Sequence, residues 1–112
     1  MNTATDFSRL MPIRDDEGYL LDPADWNEDV ATALAAGEGL FLDDSYWDVL
    51  RFMRAFYEEH QIAPDARYVI KHLAERWGGE ARKKLFELFP YGYVQQACKI
   101  AGMRRPRAWS TG

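Results

Sequence analysis

The chain has one cysteine in 112 residues, so no disulfide can form within it. It has two histidines, His60 and His72, and neither stands at a metal-ligand spacing from Cys98. The sequence also lacks a glycine-rich phosphate loop and a nucleophile elbow. Neither a metal nor a cofactor is therefore expected. No run is long and apolar enough to cross a bilayer, and the opening "MNTATDFSRL" has no apolar core of a secretory signal. With a lone thiol and no such segment, a cytoplasmic, reduced protein is the simplest expectation. Carboxylates are missing too, but only locally: no acidic residue occurs from Leu88 to the end.

What is present is apolar and aromatic. The composition is 47% hydrophobic and 14% aromatic, enough for one modest core, so residues 1–112 read as a single domain. The net charge of −4 conceals two unlike halves. Residues 1–60 carry 14 acidic and 4 basic side chains, whereas residues 61–112 carry 4 acidic and 10 basic. Such a division gives either two solvated faces of opposite sign or a basic end that meets an acidic partner or a phosphate backbone.

The pattern along the chain is helical. Residues 1–10 are expected to be a disordered leader. "MPIRDDEGYLLD" predicts a small β-hairpin turning at Asp15–Gly18. "LDPADWNEDVATALAAGEG" predicts a helix with Asp22 as N-cap, Pro23 at its first position, and Trp26, Val30 and Leu34 on its buried stripe. "LDDSYWDVLRFMRAFYEEHQ" predicts a second helix capped by Asp43 and apolar over most of its circumference. Arg51 and Arg54 interrupt that coverage and must reach water or a partner. A third helix opens at Pro64, buries Tyr68, Ile70, Leu73 and Trp77, and closes at Gly78-Gly79. "EARKKLFELFP" is a short fourth helix and "YGYVQQACKIAG" a fifth, ended by Gly102. Residues 103–112 read as a mobile arm. The expected fold is mainly α: about five helices, an N-terminal hairpin and a flexible C-terminal arm.

Carboxylates near the N-terminus are explained as turn and cap residues, so no general acid–base pair is assigned. That leaves Cys98. At about 100° per residue, Val94, Ala97, Ile100 and Ala101 cluster on one side of the fifth helix. Cys98 falls at the edge of that cluster, neither clearly buried nor clearly exposed. Lys99, Arg104, Arg105 and Arg107 follow within nine positions. Cations favour a thiolate, which is the reactive form, while the negative end of a helix dipole opposes it.

Three longer stretches carry a resemblance. "EGYLLDPADW", "EGLFLDDSYWDVLRFMRAFYEEHQIAPDARYVIKHL" and "LFPYGYVQQACKIAGMRRP" resemble the DsrC/TusE/DsvC family, from about Asp16 to Pro106. The resemblance implies a small, mostly helical protein with a hairpin and a C-terminal arm that handles sulfur. TusE-like members take a persulfide sulfur from an upstream relay complex and hand it to a tRNA-modifying thiouridylase, using a cysteine next to last in the arm. DsrC-like members work with dissimilatory sulfite reductase and add a second cysteine in the "QACKIAG" helix. In this chain Cys98 matches that second cysteine, and Trp109 falls where the arm cysteine belongs. The family's Gly-Pro is Gly92-Tyr93 here, its Pro-Lys-Pro is Arg104-Arg105-Pro106, and the connection "GGEARKKLF" is shorter than in the sulfite-reductase partners. Indole cannot carry a sulfane sulfur, so the TusE mechanism does not transfer unchanged.

The first functional reading is a sulfur-relay protein of sulfurtransferase type. It would accept or present sulfane sulfur as a persulfide on Cys98, as in tRNA 2-thiouridine synthesis. Lys99, Arg104, Arg105, Arg107 and Trp109 would meet its partners, an upstream sulfur donor complex and a downstream thiouridylase or sulfite reductase-like protein. The alternative is a non-catalytic regulatory or docking member that keeps the surface but not the chemistry. Nucleic-acid binding ranks third, since the overall acidity argues against a strong non-specific binder.

Overall fold

Four short polar side chains set where the chain coils. In the computed structural model, which describes residues 11–106, each accepts a backbone N–H at the start of a turn. Asp22 accepts from Ala24 at 2.9 Å, Asn27 from Val30 at 2.9 Å, Asp43 from Ser45 at 3.0 Å, and Asp65 from Arg67 at 2.9 Å. Four α-helices follow: α1 (Glu28–Gly37), α2 (Asp44–His60), α3 (Ala66–Trp77) and α4 (Ala81–Leu88). Single 3-10 turns occupy Pro23–Asp25 and Gly78–Glu80, and a π-helical segment occupies Tyr93–Cys98.

Several expectations need correction. The first helix does not run from Asp22. Asp22 caps only the 3-10 turn, Trp26 is extended, and Asn27 caps a fresh start at Glu28. The predicted hairpin is reduced to one antiparallel bridge, Arg14 to Leu20, and no strand forms among the described residues. Its turn is held instead by the Asp15 carboxylate, which accepts the N–H groups of Glu17 and Tyr19. Pro12 lacks an N–H and Pro23 begins the 3-10 turn, so a ladder has no room to extend. On α3 the buried residues are Ala66, Val69 and Leu73, while Tyr68 is half exposed beside Phe56. The fifth helix is wound as a π-helix over most of its length.

The core is formed by Val30 and Leu34 of α1, Val49, Leu50 and Met53 of α2, Val69 and Leu73 of α3, and Leu85 and Leu88 of α4. The π-helical segment and Ile100–Met103 close it. Met103, expected in the mobile arm, is a core residue; the arm beyond Pro106 and the leader lie outside the described residues.

Arg54 of α2 resolves the demand made by its position on an apolar helix. It turns inward, its side chain only 12% exposed. Its guanidinium donates to Ala101 O at 3.0 Å and to Pro23 O at 3.1 Å. It lies 4.7 Å from the Trp26 ring centroid and 5.4 Å from that of Tyr57. The planar fork thus ties both ends of the described chain to the longest helix. Desolvation lowers the Arg54 pKa, and Glu58 partly offsets this. Arg54→Met keeps much of the volume but removes the donor of Ala101 O and leaves Pro23 O with the Trp26 N–H alone. It is expected to cost about 1–3 kcal/mol in urea unfolding. Arg54→Lys should recover only part of that loss, since an ammonium cannot span both carbonyls as the fork does.

Candidate functional site

Gly92, at φ 108°, redirects the chain after Pro90 into the segment that carries the cysteine. The π-helical winding from Tyr93 to Cys98 stacks residues five apart. Tyr93 and Cys98 therefore lie side by side, whereas α winding sets them well round the helix from each other. Both are in the core, Cys98 at 0% exposure. The Tyr93 hydroxyl donates to Pro64 O at 2.5 Å and lies within hydrogen-bond reach of the thiol. Burial pushes the Cys98 thiol from 9.0 up to about 12, and the Tyr93 hydrogen bond offsets only part of the rise. Burial likewise holds the Tyr93 phenol far above its ordinary range. At neutral pH the folded chain holds a thiol, not the nucleophilic thiolate.

The edge position expected for Cys98 is thus corrected to a fully enclosed one, because the winding is not α. Among the described residues the cations that follow Cys98 are engaged elsewhere or exposed, and burial dominates the thiol. Lys99 Nζ sits 3.5 Å from Glu38 Oε2 and 5.3 Å from the Tyr19 ring centroid. Arg105 donates to Glu17 Oε2 at 3.1 Å. Lys99 and Arg105 do come together, with both of these carboxylates, around a polar cleft of about 250 Å³. Arg104 is exposed. Arg107 and Trp109 lie outside the described residues.

Three further residues hold the site and escaped the sequence reading. Gln96 is fully buried; its amide donates to Glu38 Oε1 at 3.1 Å and accepts Tyr91 N–H at 3.0 Å. Glu38, just beyond α1, thereby anchors both Gln96 and Lys99. Trp26 donates from its indole to Ile100 O at 2.8 Å. The five-residue spacing of Tyr93 and Cys98 was the only hint available, and it is informative only once π winding is known. The segment ends in a Schellman closure: Met103 N–H bonds Cys98 O at 2.9 Å and Gly102 N–H bonds Lys99 O at 3.0 Å. Gly102 has φ +77°, and a Cβ there would stand 2.4 Å from Trp26 Cδ1. Among the described residues no three of His, Cys, Asp and Glu are grouped to hold a metal, and no helix is long and apolar enough to cross a membrane. His72 instead pairs with Asp48 at 3.0 Å and stacks on Phe52.

The family model described as "DsrC like protein" matches residues 10–108. The chain belongs to this family. Sulfurtransferase TusE of Yersinia pseudotuberculosis is 43% identical over 94 residues, covering 82% of this chain and 87% of that one. The TusE homolog of Haemophilus influenzae is 42% identical, covering 82% and 86%. Among solved structures, DsrC of Allochromatium vinosum is 39% identical with a TM-score of 0.74, covering 87% of this chain and 88% of that one. The oxidized γ-subunit of dissimilatory sulfite reductase from Archaeoglobus fulgidus is 28% identical with a TM-score of 0.78, covering 88% and 92%. The small, mainly helical DsrC-like fold expected from the sequence is therefore present.

Two outcomes follow from this geometry. Gly102→Ala meets both a positive φ and the Trp26 ring, and should cost about 2–5 kcal/mol. Gly39→Ala shares the positive φ (+75°) but meets nothing within 4 Å, and should cost only about 1–2 kcal/mol. Denaturation midpoints of the two variants compare the clash with the backbone cost. For Cys98, the folded pKa lies above the free value, so its contribution to stability is complete below about pH 9 and is lost as pH rises toward about 12. Wild type should lose stability relative to Cys98→Ala across that window, measured by urea unfolding at stepped pH. An unchanged difference would contradict the raised pKa.

Proposed function

We propose that this chain serves a sulfur relay as a docking or regulatory member of its family, engaging relay proteins while its single thiol stays inside the core. One observation carries the reading: Cys98, the only residue that could hold sulfane sulfur, is fully enclosed and its thiolate is strongly disfavoured. The relay assignment rests on family membership and on the TusE sulfurtransferases aligned over most of both chains. The partner chemistry is that of the relay: a persulfide-bearing donor complex upstream, and a thiouridylase or sulfite reductase-like protein downstream. Transfer of sulfur toward tRNA thiolation would then run through those proteins, with this chain modulating access.

The carrier reading keeps one specific support, the match of Cys98 to the helix cysteine of DsrC-like members. It requires the Schellman closure at Gly102 to open and the thiol to ionise outside the core. Incubation with a cysteine desulfurase and its substrate, read by intact mass beside a cysteine-bearing TusE relative, separates the two. The expected result is no added sulfur on this chain under native conditions, with sulfur gained by the relative. Gain of one sulfur that vanishes in Cys98→Ser would overturn the docking reading in favour of a carrier. Affinity capture from the parent cell should recover relay components at wild-type level with Cys98→Ala.

A further inference from the structure

An open groove of about 750 Å³ runs between the end of α2 and the C-terminal segment, and shares Arg105 with the polar cleft at Lys99. Its apolar walls include Leu21, Pro23, Tyr57, Ile62 and Met103. Leu21 is 51% exposed and Ile62 is 63% exposed, unusual for large aliphatic side chains with a groove between them. The groove continues past Ile62. A second depression of about 480 Å³ shares Ile62 and Ala63 with the first and adds Phe56 and Tyr68. The first depression alone is the size of a small-ligand pocket, and the pair joined at Ile62 is more extended than one compact ligand fills. An elongated chain segment fits that shape.

Charge narrows the occupant. Arg104 and Arg105 line the same groove. Arg105 shares its charge with Glu17, whereas Arg104 is exposed and makes no ion pair or side-chain hydrogen bond among the described residues. Two carboxylates line the joined groove: Asp22 accepts Ala24 N–H, and Asp65 accepts Arg67 N–H and lies 3.4 Å from Arg67 Nε. Tyrosine and arginine at the walls are the residue types that carry binding energy at protein interfaces.

We propose that this groove docks an extended, apolar segment of a partner protein that bears a carboxylate, with Ile62 packing between its side chains and Arg104 meeting its charge. The proposal deepens the docking function inferred above and names the chemistry of the partner segment. A library of displayed linear peptides, selected on the immobilised full chain, tests it without any relay protein. Its outcome is therefore separable from that of the affinity capture. Enrichment of peptides combining apolar residues with aspartate or glutamate is expected. Their affinity should fall tenfold or more with Arg104→Glu or Ile62→Asp, both surface changes that leave the far-UV circular dichroism unchanged. No enrichment, a basic consensus, or binders indifferent to both substitutions would overturn it. Binding seen only after removal of residues 107–112 would assign the groove to the chain's own end and would also overturn it.

Discussion

The guanidinium of Arg54 is the constraint on which the rest of this fold hangs. It lies between two aromatic rings on the longest helix and donates to one carbonyl from each end of the described chain. Burying a cation is costly, and the lowered pKa records that cost. The cost is met because the guanidinium supplies the Ala101 carbonyl with a donor, adds a second to the Trp26 N–H on Pro23 O, and stacks well on indole and phenol. With Ala101 fixed, the Trp26 indole can sit on Gly102 and bond Ile100 O, and the turn that buries Met103 is closed.

That closure decides the fate of the thiol. Cys98 lies one turn before Gly102 on a segment whose π winding faces it inward, toward Tyr93. This chain has one cysteine, and the fold shields it.

Three contacts between carboxylates and basic side chains join the acidic half of the chain to the basic half among the described residues. Glu17 meets Arg105, Glu38 meets Lys99, and Asp48 meets His72, each pairing a residue of the acidic half with one of the basic half. These pairs are at least partly exposed and individually contribute little to stability, yet they decide which cations stay available. Two of the three described cations that follow Cys98 are engaged, and Arg104 is exposed.

The caps at Asp22, Asn27, Asp43 and Asp65, the apolar periodicity of α2 and the stop at Gly102 act within a few residues, so sequence alone determines roughly where the helices lie. Asp43 and Gly102 were legible for that reason. The motifs around "LFPYGYVQQACKIAG" placed the family equally early. Other features depend on contacts between residues far apart in the chain. Trp26 leaves its expected helix because its indole is needed 74 positions later, at Ile100. Arg54 faces inward because Pro23 and Ala101 converge on it. Cys98 is buried because the segment is wound with five-residue spacing, which no local preference dictates. Local hydrogen bonding and periodicity can be read from neighbours in sequence; burial of the thiol could be decided only when the segments at Pro23 and Ala101 met on α2.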